Sequence, residues 1–124
     1  MADKRIIRNT RHIKRMRAED GALIFELLNP RQSGISKMSI AEGTVKPRVI
    51  ARPHFHKRSE EVYYILEGTG MVRVGEKHYC VKKGDVVFIQ NKKVHALENI
   101  SRKNELRVLA ISAPAYSSRD IFFE

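Results

Sequence analysis

Two histidines one residue apart, His54 and His56, stand ahead of Glu61 in the stretch HFHKRSEEVYYILEGTG, residues 54–70. Imidazoles and carboxylates are the donors of transition-metal sites, and they are also ordinary polar groups at strand ends. Alternate residues of a strand face one way, so both histidines can reach inward with Cα atoms about 6.5 Å apart, a spacing that suits two imidazoles on one ion. Glu61 has the opposite parity. The polar turn over residues 57–60 must fold the chain back and reset the register before Glu61, Tyr63 and Ile65 can share an inward face. A His-x-His pair alone carries little information. The longer spacing is more selective: His54-x-His56-x4-Glu61-x6-Gly68, fifteen residues, then Gly84-x10-His95-x3-Asn99, in which His95, Leu97 and Asn99 share a face.

These residues need a scaffold of strands. From about residue 22 the chain reads as short β segments broken by turn residues: 22–28, 35–45, 49–56, 61–67, 71–74, 77–82, 85–89, 94–99 and 105–112. Gly68-Thr69-Gly70 and Lys83-Gly84 read as turns, and Gly75-Glu76 suits a two-residue hairpin loop with glycine first. Eight or nine strands at this spacing predict an all-β antiparallel sandwich or small barrel. The tail SSRDIFFE holds one helical turn at most, with Phe122 and Phe123 packing on the barrel or a partner.

The chain of 124 residues is long enough for one packed domain. Its charge of +10 is unevenly spread: residues 1–17 carry seven Lys or Arg against Asp3 alone. The expected organisation is a basic arm over 1–21 and a single domain over 22–124. Residues 1–24 hold no Phe, Tyr or Trp on which a base could stack, so the arm reads as a solvated segment and not as a nucleic-acid site. No apolar stretch is long enough to span a bilayer and the start lacks a signal-peptide core, which predicts a cytoplasmic protein without a membrane partner. Cys80 stands alone, so no internal disulfide forms, and its expected role is a small buried apolar residue.

With these residues in view, the chain resembles a small single-domain cupin. HFHKRSEEVYYILEG resembles the first motif of that family and GDVVFIQNKKVHALEN the second, which together cover residues 54–99. The second motif of the family usually has proline and glycine where this chain has Gln90 and Lys92. The resemblance implies a double-stranded β-helix, the jelly-roll barrel, holding one divalent metal on His54, His56, Glu61 and His95. Three imidazoles and a carboxylate suit iron, manganese, nickel, copper or zinc and disfavour calcium and magnesium.

Other residues are candidates for the cavity. Arg52 has the parity of the histidine pair and is positioned to offer a cation to an anionic substrate, Tyr63 to hydrogen-bond a ligand, and Gln90 to reach the cavity mouth from its turn. Asn99 either holds a turn or orients His95. The expected function is a metalloenzyme acting on a small polar or aromatic metabolite, by dioxygenase-like oxidation first and isomerisation next, with Glu61 moving a proton. The alternatives are a small-molecule-binding or sensor module without chemistry and, behind it, nucleic-acid association through the arm. A homodimer is expected, with residues 22–28 as the packing segment.

Overall fold

The computed structural model describes Asp3 and residues 5–124. Lys4 of the basic arm, with Met1 and Ala2, lies outside the described residues. Strands β1 (Met16–Arg17), β2 (Leu23–Leu28), β3 (Ser39–Val45), β4 (Ile50–Phe55), β5 (Glu60–Glu67) and β6 (Thr69–Val74) come first. They are followed by β7 (Lys77–Lys82), β8 (Val86–Ile89), β9 (His95–Glu98), β10 (Leu106–Ala113) and β11 (Phe122–Phe123). All pairings are antiparallel, and they form a six-stranded sheet in the order β1-β2-β3-β10-β5-β8 and a five-stranded sheet in the order β11-β4-β9-β6-β7. The chain crosses between sheets repeatedly, which is the jelly-roll arrangement expected. No helix among the described residues is long and apolar enough to cross a membrane.

The core lies between the two sheets. On β5 the residues alternate over 60–65: Glu61, Tyr63 and Ile65 are buried, Glu60 and Tyr64 are exposed and Val62 is half-buried. Ile65 belongs to one core cluster with Val45, Val72, Ile89 and Leu106, each nearly inaccessible to solvent. Each such side chain stabilises the fold by about 1.5–3 kcal/mol. Glycine is required where β5 turns into β6. Gly68 has φ +88°, and a Cβ there would lie 2.6 Å from the Glu105 carbonyl oxygen.

Several elements differ from the expectation. Thr69 and Gly70 belong to β6, so Gly68 alone makes the bend. Residues 35–38 are irregular, and β3 starts at Ser39. The two-residue strands β1 and β11 are too short to show any periodicity in sequence. Cys80 is exposed, contrary to the buried role expected of it. It sits on β7, the edge of the five-stranded sheet, where only Val81 is buried.

Some of the described arm residues contact the barrel. The Arg8 guanidinium donates to the carbonyls of Glu26 (3.1 Å) and Leu27 (3.0 Å), and β1 pairs with β2 at Met16↔Ile24 and Arg17↔Leu23.

Candidate metal centre

Strand register brings the donors together. His54 and His95 are direct cross-strand partners on β4 and β9, and Glu61 enters from β5 in the opposite sheet. His56 follows one residue beyond β4, before the turn that reaches Glu61. One donor atom from each of His54, His56, Glu61 and His95 lies within 4.8 Å of every other, and all four residues are buried.

Backbone carbonyls orient all three imidazoles. Nδ1 of His54 is 2.7 Å from the Arg52 oxygen, Nδ1 of His56 is 2.8 Å from the Asp120 oxygen, and Nδ1 of His95 is 2.9 Å from the Lys93 oxygen. A carbonyl can only accept, so each Nδ1 carries the proton and donates it. In the neutral rings the lone pair is therefore on Nε2. The Nε2 of His56 is buried without a hydrogen-bond partner among the described residues. Glu61 Oε1 lies 3.0 Å from Nε2 of His95 and 3.4 Å from Nε2 of His56.

Such a cluster fits a divalent ion. Ligands at about 2.1 Å from a six-coordinate ion are about 3.0 Å from their neighbours, close to the spacing of Glu61 from the two imidazoles. An orphaned buried nitrogen is costly without a partner, and an ion supplies one. Burial pushes the His54 imidazole down, and the nearby His95 lowers it further, which favours the neutral ligand form. For Glu61 burial acts upward, but its contacts with the His56 and His95 imidazoles outweigh it and hold the carboxyl at about 2. With burial acting against it, His56 is still raised by its contacts with the Glu61 carboxylate.

Asp120, which sequence reasoning missed, secures this arrangement. Beyond the carbonyl that holds His56, its buried carboxylate accepts the backbone N–H groups of Lys57 (3.0 Å), Arg58 (3.2 Å) and Ser59 (3.2 Å). That loop joins His56 to Glu61, so one side chain sets the span between two donors. A second contact comes from Lys92, whose N–H donates to the His56 carbonyl at 2.6 Å. Lys92 has φ +71°, the left-handed conformation that glycine adopts without cost.

The remaining candidates separate. Tyr63 is 6% exposed and lines the cavity beside the centre, and its hydroxyl makes no hydrogen bond to the described residues. Its ring lies 6.1 Å from that of His95. Arg52 is exposed, with its guanidinium 3.9 Å from the centroid of the Phe123 ring. An irregularity in the β4–β9 register between Ala51 and His54 turns both of those residues inward and breaks the parity that linked Arg52 to the histidines. Gln90 is exposed, and its carbonyl accepts from Lys93 in the turn. Asn99 is fully buried and holds the turn that follows it. Its amide donates to the carbonyls of Val45 and Asn104 (both 2.8 Å), and its Oδ1 accepts from the Ser101 N–H.

A cavity of about 680 Å³ opens from the centre between the sheets. That volume accommodates a small metabolite. Ile24, Val45, Leu97 and Val108 give it apolar walls, and Glu19 and Tyr116, which also line it, are joined by a hydrogen bond from the phenol. Glu26 also lines it, from the inward face of β2. A lone carboxylate inside the apolar run ALIFELL was the sequence signal for that residue.

Comparison with known proteins agrees with this architecture. The family model described as "Cupin domain" matches residues 38–112. The uncharacterised protein MJ1618 of Methanocaldococcus jannaschii is 41% identical over 108 residues, covering 87% of this chain and 86% of the relative. Among solved structures, a predicted oxalate decarboxylase from Thermotoga maritima superposes with a TM-score of 0.77 at 23% identity, covering 88% of this chain and 99% of the other. The Streptomyces nucleoside dehydratase Pac13 superposes with a TM-score of 0.74 at 14% identity, covering 94% of this chain and 88% of the other. Identities this low carry the fold and not the activity.

Proposed function

The chain belongs to the cupin family, and on that premise we propose that it is a divalent-metal enzyme whose substrate is a small polar or aromatic metabolite held in the cavity. The observation that carries the proposal is the carbonyl lock on three Nδ1 atoms, which points the Nε2 lone pairs of His54, His56 and His95 toward one place beside Glu61. Iron, manganese, nickel, copper or zinc suits this donor set, and when bound would supply Lewis acidity and, for the redox-active ions, access to oxygen chemistry. Oxidation of a phenol, enol or small organic acid is the first form of the proposal, and isomerisation of a polar metabolite the second.

The protein's own groups then have defined tasks. Glu61 Oε1 faces His56 and His95, which leaves Oε2 as the atom to take a proton from the substrate. The Tyr63 hydroxyl, on a buried residue and without a partner among the described residues, donates to a substrate oxygen. Ile24, Val45, Leu97 and Val108 exclude water from the substrate's apolar body. The nucleoside dehydratase, similar in fold at 14% identity, is an enzyme built on such a barrel.

A second reading is a binding or sensing module. It is favoured by cavity walls that are mainly apolar. The deciding experiment is elemental analysis of protein purified without tag or chelator, followed by oxygen-uptake measurements with Fe²⁺ and a phenol and dicarbonyl panel. One equivalent of metal and turnover support the enzyme. Inactivity with every metal, alongside a ligand recovered unchanged, supports the module. Protein that stays empty after anaerobic loading refutes both metal forms.

Cytoplasmic location and a homodimer are part of the proposal. Beyond its pairing with β1, β2 leaves residues 25–28 as a sheet edge, where Arg8 covers the carbonyls of Glu26 and Leu27. A second subunit would cover that edge further. Light scattering that finds only monomer removes the dimer. The boundary between arm and domain near residue 21 is tested by deleting residues 1–21, with retained folding as the expected result.

A further inference from the structure

The chain is strongly basic, yet the half-buried charges of its cavity are acidic. Asp20 and Glu26, both half-buried, line it together with the exposed Glu19. Glu26 accepts from the neutral Asn29 amide (2.9 Å), Asp20 from the Ala22 N–H (3.0 Å) and Glu19 from the Tyr116 hydroxyl. None of the three forms an ion pair with a described residue. The cations that line the cavity, Arg31 and Arg119, are exposed at its edge. Arg52, the cation that parity placed inside, faces Phe123 instead.

The metal centre opens into the same cavity. Tyr63, 6% exposed and with a hydroxyl that has no partner among the described residues, lines it beside the four donors. That hydroxyl can donate to an oxygen atom of a bound molecule. A ligand that matches both sets of groups offers oxygen to the centre and positive charge to the carboxylates.

We infer that the cavity selects a small molecule with ligating oxygens at one end and a cationic amine at the other, and that it discriminates against dicarboxylates. The inference rests on the metal-centre reading above and adds the substrate's charge to it. Carboxylates that have been partly withdrawn from water without a counter-cation favour an incoming ammonium group and repel an incoming carboxylate. The apolar walls suit a ring or short hydrocarbon.

The test uses three probes that share a catechol and differ in the charge of the tail: dopamine, 4-ethylcatechol and 3,4-dihydroxyphenylacetate. Zinc-loaded protein, which is redox-inert, is titrated with each by calorimetry under anaerobic conditions, with zinc content measured on the same sample. The expected order of affinity is dopamine, then 4-ethylcatechol, then 3,4-dihydroxyphenylacetate, with the outer pair separated by at least about tenfold. Asp20→Asn combined with Glu26→Gln keeps the shapes and hydrogen bonds, and should narrow that gap while leaving 4-ethylcatechol unchanged. Tyr63→Phe should weaken all three by a common factor.

Equal affinities, a reversed order, or a gap that survives the double amide variant would each overturn the inference. So would failure of all three probes to bind protein that holds one zinc per chain. Protein that holds no zinc would instead defeat the metal reading on which the inference stands.

Discussion

Replacing Asp120 by alanine should weaken both the fold and the centre, through a loop that the side chain holds at three points. The carboxylate accepts from the backbone N–H groups of Lys57, Arg58 and Ser59 at 3.0–3.2 Å. Lys57 and Arg58 are exposed, so water replaces most of what they lose. Ser59 is 3% exposed, and its N–H is left stranded. One unsatisfied buried donor and two weakened charge-assisted bonds together cost about 3 kcal/mol. A domain of this size has about 6–19 kcal/mol in reserve, so the variant still folds. Metal affinity should fall about 10–100-fold, since the loop sets how far Glu61 sits from His56. Urea unfolding gives the first quantity and chelator competition the second. Asp120→Asn, which retains an acceptor oxygen, should recover part of both. A loss below about 1 kcal/mol, with metal affinity unchanged, would refute the reasoning.

Three further outcomes follow. His56→Ala should abolish stoichiometric metal binding in elemental analysis, because it removes the orphaned Nε2 and the ring that Asp120 positions. In metal-free protein Glu61 is held at about 2, below its ordinary value of 4.5. A depressed carboxyl stabilises above its unfolded value, so about 3 kcal/mol should be lost as pH falls from about 4.5 to about 2, and Glu61→Gln should flatten that slope in acid-unfolding curves. Lys92→Gly should raise stability by about 0.5 kcal/mol by relieving the left-handed backbone, while Lys92→Val should lower it by about 1–2 kcal/mol, both measured by urea midpoints.

The parts that sequence revealed are those governed by local alternation. On β5 the period of two placed Glu61, Tyr63 and Ile65 on one face, and the structure has all three buried. His54 and His95 come together for the same reason, once β4 and β9 pair. Alternation fails where the ladder does: the irregularity after Ala51 turned Arg52 outward, and Pro53, which has no N–H to give the ladder, is the residue that marks it. Asp120 was hidden by distance. It lies 64 residues from His56, and its role depends on two chain segments meeting. Cys80 shows a different limit, because a strand that pairs on one side only cannot be told from a central strand by its residues. Lys92 shows that a position suited to glycine can keep its backbone shape with another side chain.

The three carbonyls that hold the imidazoles belong to Arg52, Lys93 and Asp120. A carbonyl oxygen is common to every amino acid, so ring orientation does not depend on which side chain occupies positions 52 and 93. Substitution there can recharge or reshape the outer surface while the inner donors keep their aim. The interior and exterior of the barrel can therefore drift independently at these positions, which lets one reactive centre be fitted to new surroundings by single mutations.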